Sequence, residues 1–170
     1  MANLQANPWS FTSTDQATSV AITSVTRNGL RSATVVTGSA HGYSANAAVS
    51  LQGITGAGLT QWNGGYRIEA VPSATSFIVR IEDQRAALGN VGAVGNVLSV
   101  AYLGNLARIE QMLWDGPTAA QTLLVTDVAG NLLWNPTAVT GGTYTYGKLF
   151  WVNGLVINTL GSGTLQVTIN

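Results

Sequence analysis

Apolar and polar residues alternate with period two along much of this chain, and turns rich in Gly and Asn separate the alternating runs. In the segment 76–82, Phe77, Val79 and Ile81 share one face, while Arg80 lies on the other. Successive side chains of a strand point to opposite faces, so this pattern is typical of strands with one buried face. Twenty glycines provide many positions for tight turns. The sequence therefore predicts an all-β protein.

The first half of the chain contains five such runs. Asn28-Gly29 separates the first two, and this dipeptide favours the positive φ angles of a tight hairpin turn. The predicted strands are 18–26, 33–37, 48–53, 65–71 and 76–82. Together they predict a small antiparallel β-barrel or β-sandwich over residues 17–83.

The second half shows the same alternation. The predicted strands are 122–127, 132–134, 148–152, 155–158 and 164–169. Asn153-Gly154 lies between two of them and predicts a second tight hairpin. These strands predict a second small antiparallel β-barrel or β-sandwich over residues 97–170.

One segment, 106–114, allows two interpretations. Leu106, Ile109 and Leu113 have the spacing of one helix face. Ile109, Gln111 and Leu113 also alternate as in a strand, so the segment stays open between helix and strand.

Two further segments complete the predicted organisation. Residues 1–16, which include Trp9 and Phe11, predict an extended N-terminal arm. Residues 84–96 are rich in Gly and Asn, which predicts a linker between the two β domains.

Charge is scarce and balanced. Charged residues make up 8% of the chain, with seven Lys and Arg against seven Asp and Glu. A nucleic-acid or anionic-membrane surface needs a basic face, so we expect neither as a partner. The uncharged stretch 86–107 is long enough to cross a bilayer, but its glycines and asparagines argue against a lipid-facing helix. The N-terminus lacks the pattern of a signal peptide.

Residues for catalysis or metal binding are few. The chain has no cysteine and one histidine, His41, beside Gly42 in a predicted turn. Glu82-Asp83 is the one adjacent acid pair, and nearby arginines favour a solvated surface role for it. We therefore expect a protein that is not an enzyme and that holds no metal or cofactor.

A phosphate-loop spacing, G-x-x-x-x-G-K, runs from Gly142 to Lys148. The motif also needs Ser or Thr at the next position, where this chain has Leu149, and a helix after it. The residues that follow predict a strand, so we reject nucleotide binding.

Short turn and strand elements follow one another in a characteristic order, and the first set is Thr34–Thr37, His41-Gly42-Tyr43, Val49–Gly53, Trp62-Asn63-Gly64, Tyr66–Ile68 and Ser76-Phe77. This order of turns and strands resembles the small β modules found in structural proteins of tailed-phage virions. The second set resembles the closing domain of short virion proteins: Leu123–Asp127, Gly130-Asn131, Leu133-Trp134, Val152–Leu155 and Thr159–Leu165.

The resemblance implies a non-enzymatic capsid decoration, or cement, protein. Its partner would be the major capsid protein on the outside of a phage capsid, with synthesis in the host cytoplasm. Self-association, for example as a trimer, fits the three-fold positions that capsids offer. The expected interface residues are Trp9, Phe11, Trp62, Phe150 and Trp151. In this reading Trp9 and Phe11, on the arm, lie across neighbouring coat subunits.

Besides a β-rich hydrolase, which would need two acidic side chains in one cleft, two alternatives remain. One is another virion location, in the tail, baseplate or head–tail connector. The other is a module that binds glycans on the host surface, because flat indole rings stack on sugar rings. That alternative requires Trp62 or Trp114 to be exposed beside polar groups.

Overall fold

The computed structural model describes residues 8–56, 58–81, 89–92, 94–139, 141–147 and 150–170, with side chains at all of these positions except 104 and 105. Within these residues the chain is nearly all β, which confirms the predicted fold class. The strands are β1 (Trp9–Phe11), β2 (Ser19–Arg27), β3 (Ser32–Thr37), β4 (Ala48–Gln52), β5 (Gly64–Ser73), β6 (Ser76–Arg80), β7 (Asn96–Ser99), β8 (Tyr102–Asp115), β9 (Leu123–Thr126), β10 (Leu132–Trp134), β11 (Thr143–Tyr146), β12 (Phe150–Leu160) and β13 (Thr164–Ile169). Single-turn 3-10 helices span Ser13–Asp15 and Thr60–Trp62.

The chain forms two compact units, as predicted. The barrel unit comprises Thr18–Ser99 and Val128–Gly130. The sheet unit comprises Val100–Asp127, Asn131–Asn170 and the N-terminal residues up to Ala17. Each unit has its own cluster of buried apolar side chains.

The barrel unit is a closed antiparallel barrel in the order β2-β3-β6-β5-β4-β7. Its strands bury the faces that the alternation predicts, including Val49 and Leu51 in β4. The turn at Asn28-Gly29 joins β2 to β3, so this hairpin prediction is confirmed. Gly29 adopts a φ of +82°, a backbone conformation that glycine enters at low cost.

The predicted linker and the predicted start of the second domain need correction. β7 spans Asn96–Ser99 and closes the barrel between β2 and β4, so the first β unit continues past residue 97. Val91 is buried and exchanges backbone hydrogen bonds of 2.9 and 3.0 Å with Val25. Residues 84–88 and 93 lie outside the described residues. Where it is described, the glycine-rich segment is therefore part of the barrel and not a linker.

The sheet unit has the strand order β1-β13-β8-β12-β9-β10, and β11 also pairs with β8. β12 pairs with β8 through its first half and with β9 through its second half. A strand that passes from one sheet to another lets both sheets cover one core, as in a sandwich. That core contains Trp114, Leu155 and Leu165, all fully buried.

The N-terminal residues do not form a free arm where they are described. β1 pairs in antiparallel register with β13, with Trp9 opposite Val167 and Phe11 opposite Leu165. Trp9 and Phe11 are buried in the core of the sheet unit. The arm prediction is therefore wrong for these residues, because their large apolar rings are part of that core. Residues 1–7 lie outside the described part of the chain.

The ambiguous segment 106–114 is part of the strand β8, so the helical interpretation is wrong: Leu106 is 61% exposed whereas Ile109 is buried, and the two do not share a face. The strand also contains a bulge. β13 pairs Thr168 with Gln111 but the next residue, Ile169, with Ile109, so β8 carries one extra residue there. An extra residue reverses which side chains face the core. Ile109 is buried before the bulge and Met112 after it, so these two buried residues are three apart within one strand.

Asn153-Gly154 is not a hairpin turn, which corrects the second hairpin prediction. Both residues lie inside the continuous strand β12. The register with β8 shifts between Val152 and Gly154, so the dipeptide marks an irregularity in the ladder. β8 advances from Ala107 to Leu103 over the same step, so the extra residues lie in β8, opposite Asn153-Gly154. No local pattern distinguishes an Asn-Gly pair within a strand from one in a turn.

Tyr66 is expected to make the barrel unit sensitive to alkaline pH. Its hydroxyl donates to the Trp62 carbonyl at 2.9 Å, and burial raises the pKa of Tyr66 to about 12 from 10.0. The folded state therefore holds this proton more tightly than the unfolded state. The stabilisation is complete below pH 10 and is lost as pH rises towards 12, at a cost of about 2 kcal/mol.

Urea unfolding at a series of alkaline pH values measures this effect. Tyr66→Phe should lose less stability than the unsubstituted chain between pH 10 and 12, because the phenol that resists ionisation is gone. Equal losses in the two proteins would contradict the assignment to Tyr66.

Candidate functional site

The exposed face of the β8–β12 pair carries a large aromatic side chain. Trp151 is 60% exposed and lies opposite Arg108 in the register of the two strands. Its neighbour Val152 points to the opposite face and is buried. The alternation of β12 therefore places the Trp151 indole on the solvent side of a paired strand.

A second apolar side chain of this strand pair is also exposed. Leu106 is 61% exposed and lies two residues before Arg108 in β8. Residues two apart on a strand share a face, and diagonal cross-strand neighbours are within reach of long side chains. We call Leu106, Arg108 and Trp151 the β8–β12 patch.

Hydrogen bonds hold β8 in place beside this patch. Asn170 N–H donates to the Arg108 carbonyl at 2.9 Å. The Asn170 side-chain amide donates to Glu110 Oε1 at 2.8 Å. The β8–β12 patch therefore combines two exposed apolar side chains with a cation on a strand that is bonded from both sides. Such a combination is typical of the surfaces that proteins use to bind one another.

Three of the five expected interface residues are core residues. Trp9 and Phe11 are 3% and 0% exposed, and the ring centroid of Trp9 lies 4.6 Å from that of Tyr102. Trp62 is 0% exposed, and its indole N–H donates to the Gly89 carbonyl at 2.9 Å. These side chains offer almost no accessible surface to a partner, which corrects the expectation for Trp9, Phe11 and Trp62.

The other two expected residues lie side by side in β12. Phe150 is half-buried, and its ring centroid lies 6.2 Å from that of Tyr146 at the margin of the core. Trp151 is the one that presents most of its side chain to solvent. The interface role of Phe150 and Trp151 stays a prediction.

Leu106 was not among the expected interface residues, although the sequence contains a signal for it. Leu106, Arg108 and Glu110 have the same parity in an alternating strand. An apolar residue that alternates in phase with charged residues lies on the same, exposed face of the strand. The helical spacing of Leu106, Ile109 and Leu113 obscures this alternation.

The glycan-binding alternative requires an exposed Trp62 or Trp114, and the structure exposes neither. Trp62 and Trp114 are both fully buried. The Trp114 indole N–H donates to the Ser162 carbonyl at 2.7 Å. Sugar stacking on either ring is therefore incompatible with this fold.

Hydrogen bonds to the backbone hold the His41 side chain in the barrel unit. Its Nδ1 accepts a hydrogen bond of 3.0 Å from Tyr43 N–H, so Nε2 carries the proton and donates to the Ser73 carbonyl at 3.3 Å. The ring stacks on Tyr43 and meets Phe77 edge-on. Both imidazole nitrogens are engaged in the turn, which agrees with the sequence interpretation.

Two of the acidic residues that the structure describes hold local turns or ladders. Asp115 accepts a hydrogen bond of 2.6 Å from the Thr143 hydroxyl. Asp127 accepts from Asn131 at 2.8 and 2.7 Å in the turn between β9 and β10. Among the described residues, no three His, Cys, Asp or Glu side chains form a group that could hold a metal ion. The pair Glu82-Asp83 lies outside them.

The phosphate-loop spacing is followed by a strand. β12 begins at Phe150, three residues after Gly147. A phosphate loop needs a helix whose N-terminal amides face the phosphate. Lys148 and Leu149 themselves lie outside the described residues.

The described residues contain no helix long and apolar enough to span a membrane. Comparison with models of known protein families finds no match, and neither curated proteins nor solved structures give one.

Proposed function

We propose that this chain is a non-enzymatic structural protein of a phage virion, which binds the outside of the capsid and stabilises contacts between major capsid protein subunits. The resemblance of its turns and strands to virion β modules supports the proposal. The observation that carries it is the β8–β12 patch, where Leu106 and Trp151 are 61% and 60% exposed. Only 8% of the residues of this chain carry charge.

The patch replaces the N-terminal arm as the proposed contact. A tryptophan on a paired strand has few conformations to lose on binding, and tryptophan is among the residues that contribute most to protein interfaces. Burying apolar surface contributes about 25 cal/mol per Å², less the cost of ordering the partner. Arg108 beside the indole would favour an acidic or carbonyl-rich surface on the coat protein.

Trp151→Ser is expected to weaken binding to capsids that lack this protein. Truncating a central interface tryptophan typically costs 2 kcal/mol or more, which corresponds to about a thirty-fold weaker affinity. Binding is measured by cosedimentation with such capsids, and imaging shows whether density appears at capsomer junctions. Val139→Ser is the matched control, because Val139 is 79% exposed and lies outside β8 and β12.

The outcomes separate the proposed function from its alternatives. Binding to isolated tails or baseplates, and not to capsids, would favour another virion location. A change in the fluorescence of Trp151 on adding glycans, without capsid binding, would favour host-surface recognition. Equal capsid affinity of Trp151→Ser and Val139→Ser would contradict the role of the β8–β12 patch.

Light scattering on the free protein tests the proposed self-association separately. A trimer that persists in Trp151→Ser would place the contact between copies elsewhere and leave the patch for the coat protein. A monomeric variant would assign the patch to the contact between copies.

A further inference from the structure

Three Asn-Gly pairs occur in the chain, at Asn28-Gly29, Asn63-Gly64 and Asn153-Gly154. In such a pair the glycine nitrogen can attack the asparagine side-chain carbonyl, because glycine has no side chain to hinder the approach. The attack also requires a backbone that is free to bring the two groups together. The fold places the three pairs in very different surroundings.

Asn28-Gly29 lies in the exposed turn of the β2–β3 hairpin. Both residues are exposed, and a Cβ added at Gly29 would find no atom within 4 Å. Among the described residues, none accepts a hydrogen bond from Gly29 N–H. The Asn28 carboxamide is held by one hydrogen bond, from Nδ2 to Thr34 Oγ1 at 2.5 Å. Attack therefore requires loss of one surface hydrogen bond and a small rearrangement of the turn.

Asn63-Gly64 is held much more firmly. Asn63 Oδ1 accepts from Ile54 N–H, and Asn63 Nδ2 donates to the Ile54 carbonyl, both at 2.9 Å. Gly64 begins β5 and pairs with Leu51 of β4. The carboxamide cannot turn towards Gly64 unless this part of the barrel opens.

Asn153-Gly154 is protected by its strand. Gly154 is buried in β12 and lies opposite Leu103 of β8. Extended backbone directs the Asn153 side chain away from the following nitrogen. Attack at this pair requires β12 to separate locally from β8.

We propose that Asn28 is a site of spontaneous deamidation in the folded protein. The Gly29 nitrogen forms a bond to Asn28 Cγ, and the Cγ–Nδ2 bond breaks. The Gly29 proton leaves with Nδ2 as ammonia, and a five-membered succinimide remains. Water then opens either carbonyl of the ring and produces aspartate or isoaspartate. The net change is the exchange of an amide for an acid, with water consumed, ammonia released and no change in oxidation state.

The position of Asn28 gives the new carboxylate defined neighbours. Arg27 Nε donates to the Gly29 carbonyl at 2.6 Å, so the Arg27 side chain folds along the turn. Arg31 is exposed at the other end of the turn. The product carboxylate therefore forms in a turn that carries two arginines, and a chain of net charge zero gains one negative charge. Isoaspartate also adds one methylene to the backbone of the turn.

Incubation of the folded full chain in mildly alkaline buffer, followed by peptide mapping with mass spectrometry, tests the proposal. Conversion at Asn28 is expected to be at least about tenfold faster than at Asn63 or Asn153, because those two sites must first open locally. In denaturant the three sites should convert at similar rates. Asn28→Gln is the control, because a glutamine side chain would have to form a larger ring.

Slow conversion at Asn28 in the folded chain, together with fast conversion in denaturant, would overturn the proposal. Equal rates at all three sites in the folded chain would overturn it as well. Capsid binding does not enter these measurements, so the result is independent of the proposed function.

Discussion

Replacing Trp114 with alanine should lower the free energy of unfolding by about 3–5 kcal/mol, since the change removes a large side chain from a closed core. Trp114 is 0% exposed, and its ring centroid lies 5.7 Å from that of Tyr144. Its indole N–H donates to the Ser162 carbonyl at 2.7 Å. The loss is a large part of the 5–15 kcal/mol that stabilises an ordinary domain. Urea unfolding followed by circular dichroism measures it.

Trp151→Ala is the matched control, because the same residue type is 60% exposed in the neighbouring strand. Its change in free energy should stay within about 0.5 kcal/mol, as for surface substitutions in general. Trp114→Phe keeps a ring in the core but leaves the Ser162 carbonyl without its donor, at a cost of about 1–3 kcal/mol. Similar losses for Trp114→Ala and Trp151→Ala would contradict the described packing of the sheet unit.

Period-two alternation in the sequence was enough to predict some buried faces and the fold class, but not the strand order. Phe77, Val79 and Ile81 alternate without interruption, and their buried face was predictable residue by residue. The all-β class and the two units follow from many such runs. Strand order was not predictable, because turns determine which strands are neighbours along the chain but not how β7 returns to close the barrel.

The prediction of strands and turns from the sequence fails where the pairing of strands is irregular. The extra residue in β8 places Ile109 and Met112, three residues apart, on the same buried side, a spacing that strict alternation does not predict. The irregularity at Asn153-Gly154 imitates a turn. Both depend on pairing with distant strands, so no local window contains the information. The same holds for Trp9, whose burial depends on β13 at the other end of the chain.

The candidate patch was only partly predictable for a related reason. Trp151 was expected at an interface, and it is exposed in β12. Leu106 becomes recognisable only when β8 is known to be a strand that pairs with β12. Apolar composition identifies residues that have surface to bury, but topology decides whether the chain buries that surface itself, as it does for Trp62.

Gly95→Ala should destabilise the barrel unit by about 2–5 kcal/mol, although residue 95 lies in a segment that composition alone predicts to be a linker. Gly95 has a φ of +84°, and an added Cβ would lie 2.5 Å from the Gln52 carbonyl oxygen and 3.1 Å from Ile54 N. These neighbours are backbone atoms at the end of β4 and just beyond it, so they cannot move aside cheaply. The Gly95 carbonyl also accepts a hydrogen bond of 3.0 Å from Ile22 N–H.

Gly92→Ala is the matched control in the same segment. An added Cβ at Gly92 would find no atom within 4 Å, and its φ lies outside the left-handed region. This change should be neutral or raise stability by up to about 1 kcal/mol, because alanine restricts the unfolded chain. Urea unfolding of the two variants compares them directly. A flexible linker would tolerate both substitutions equally, so a small effect at Gly95 would show that the barrel does not close through this segment.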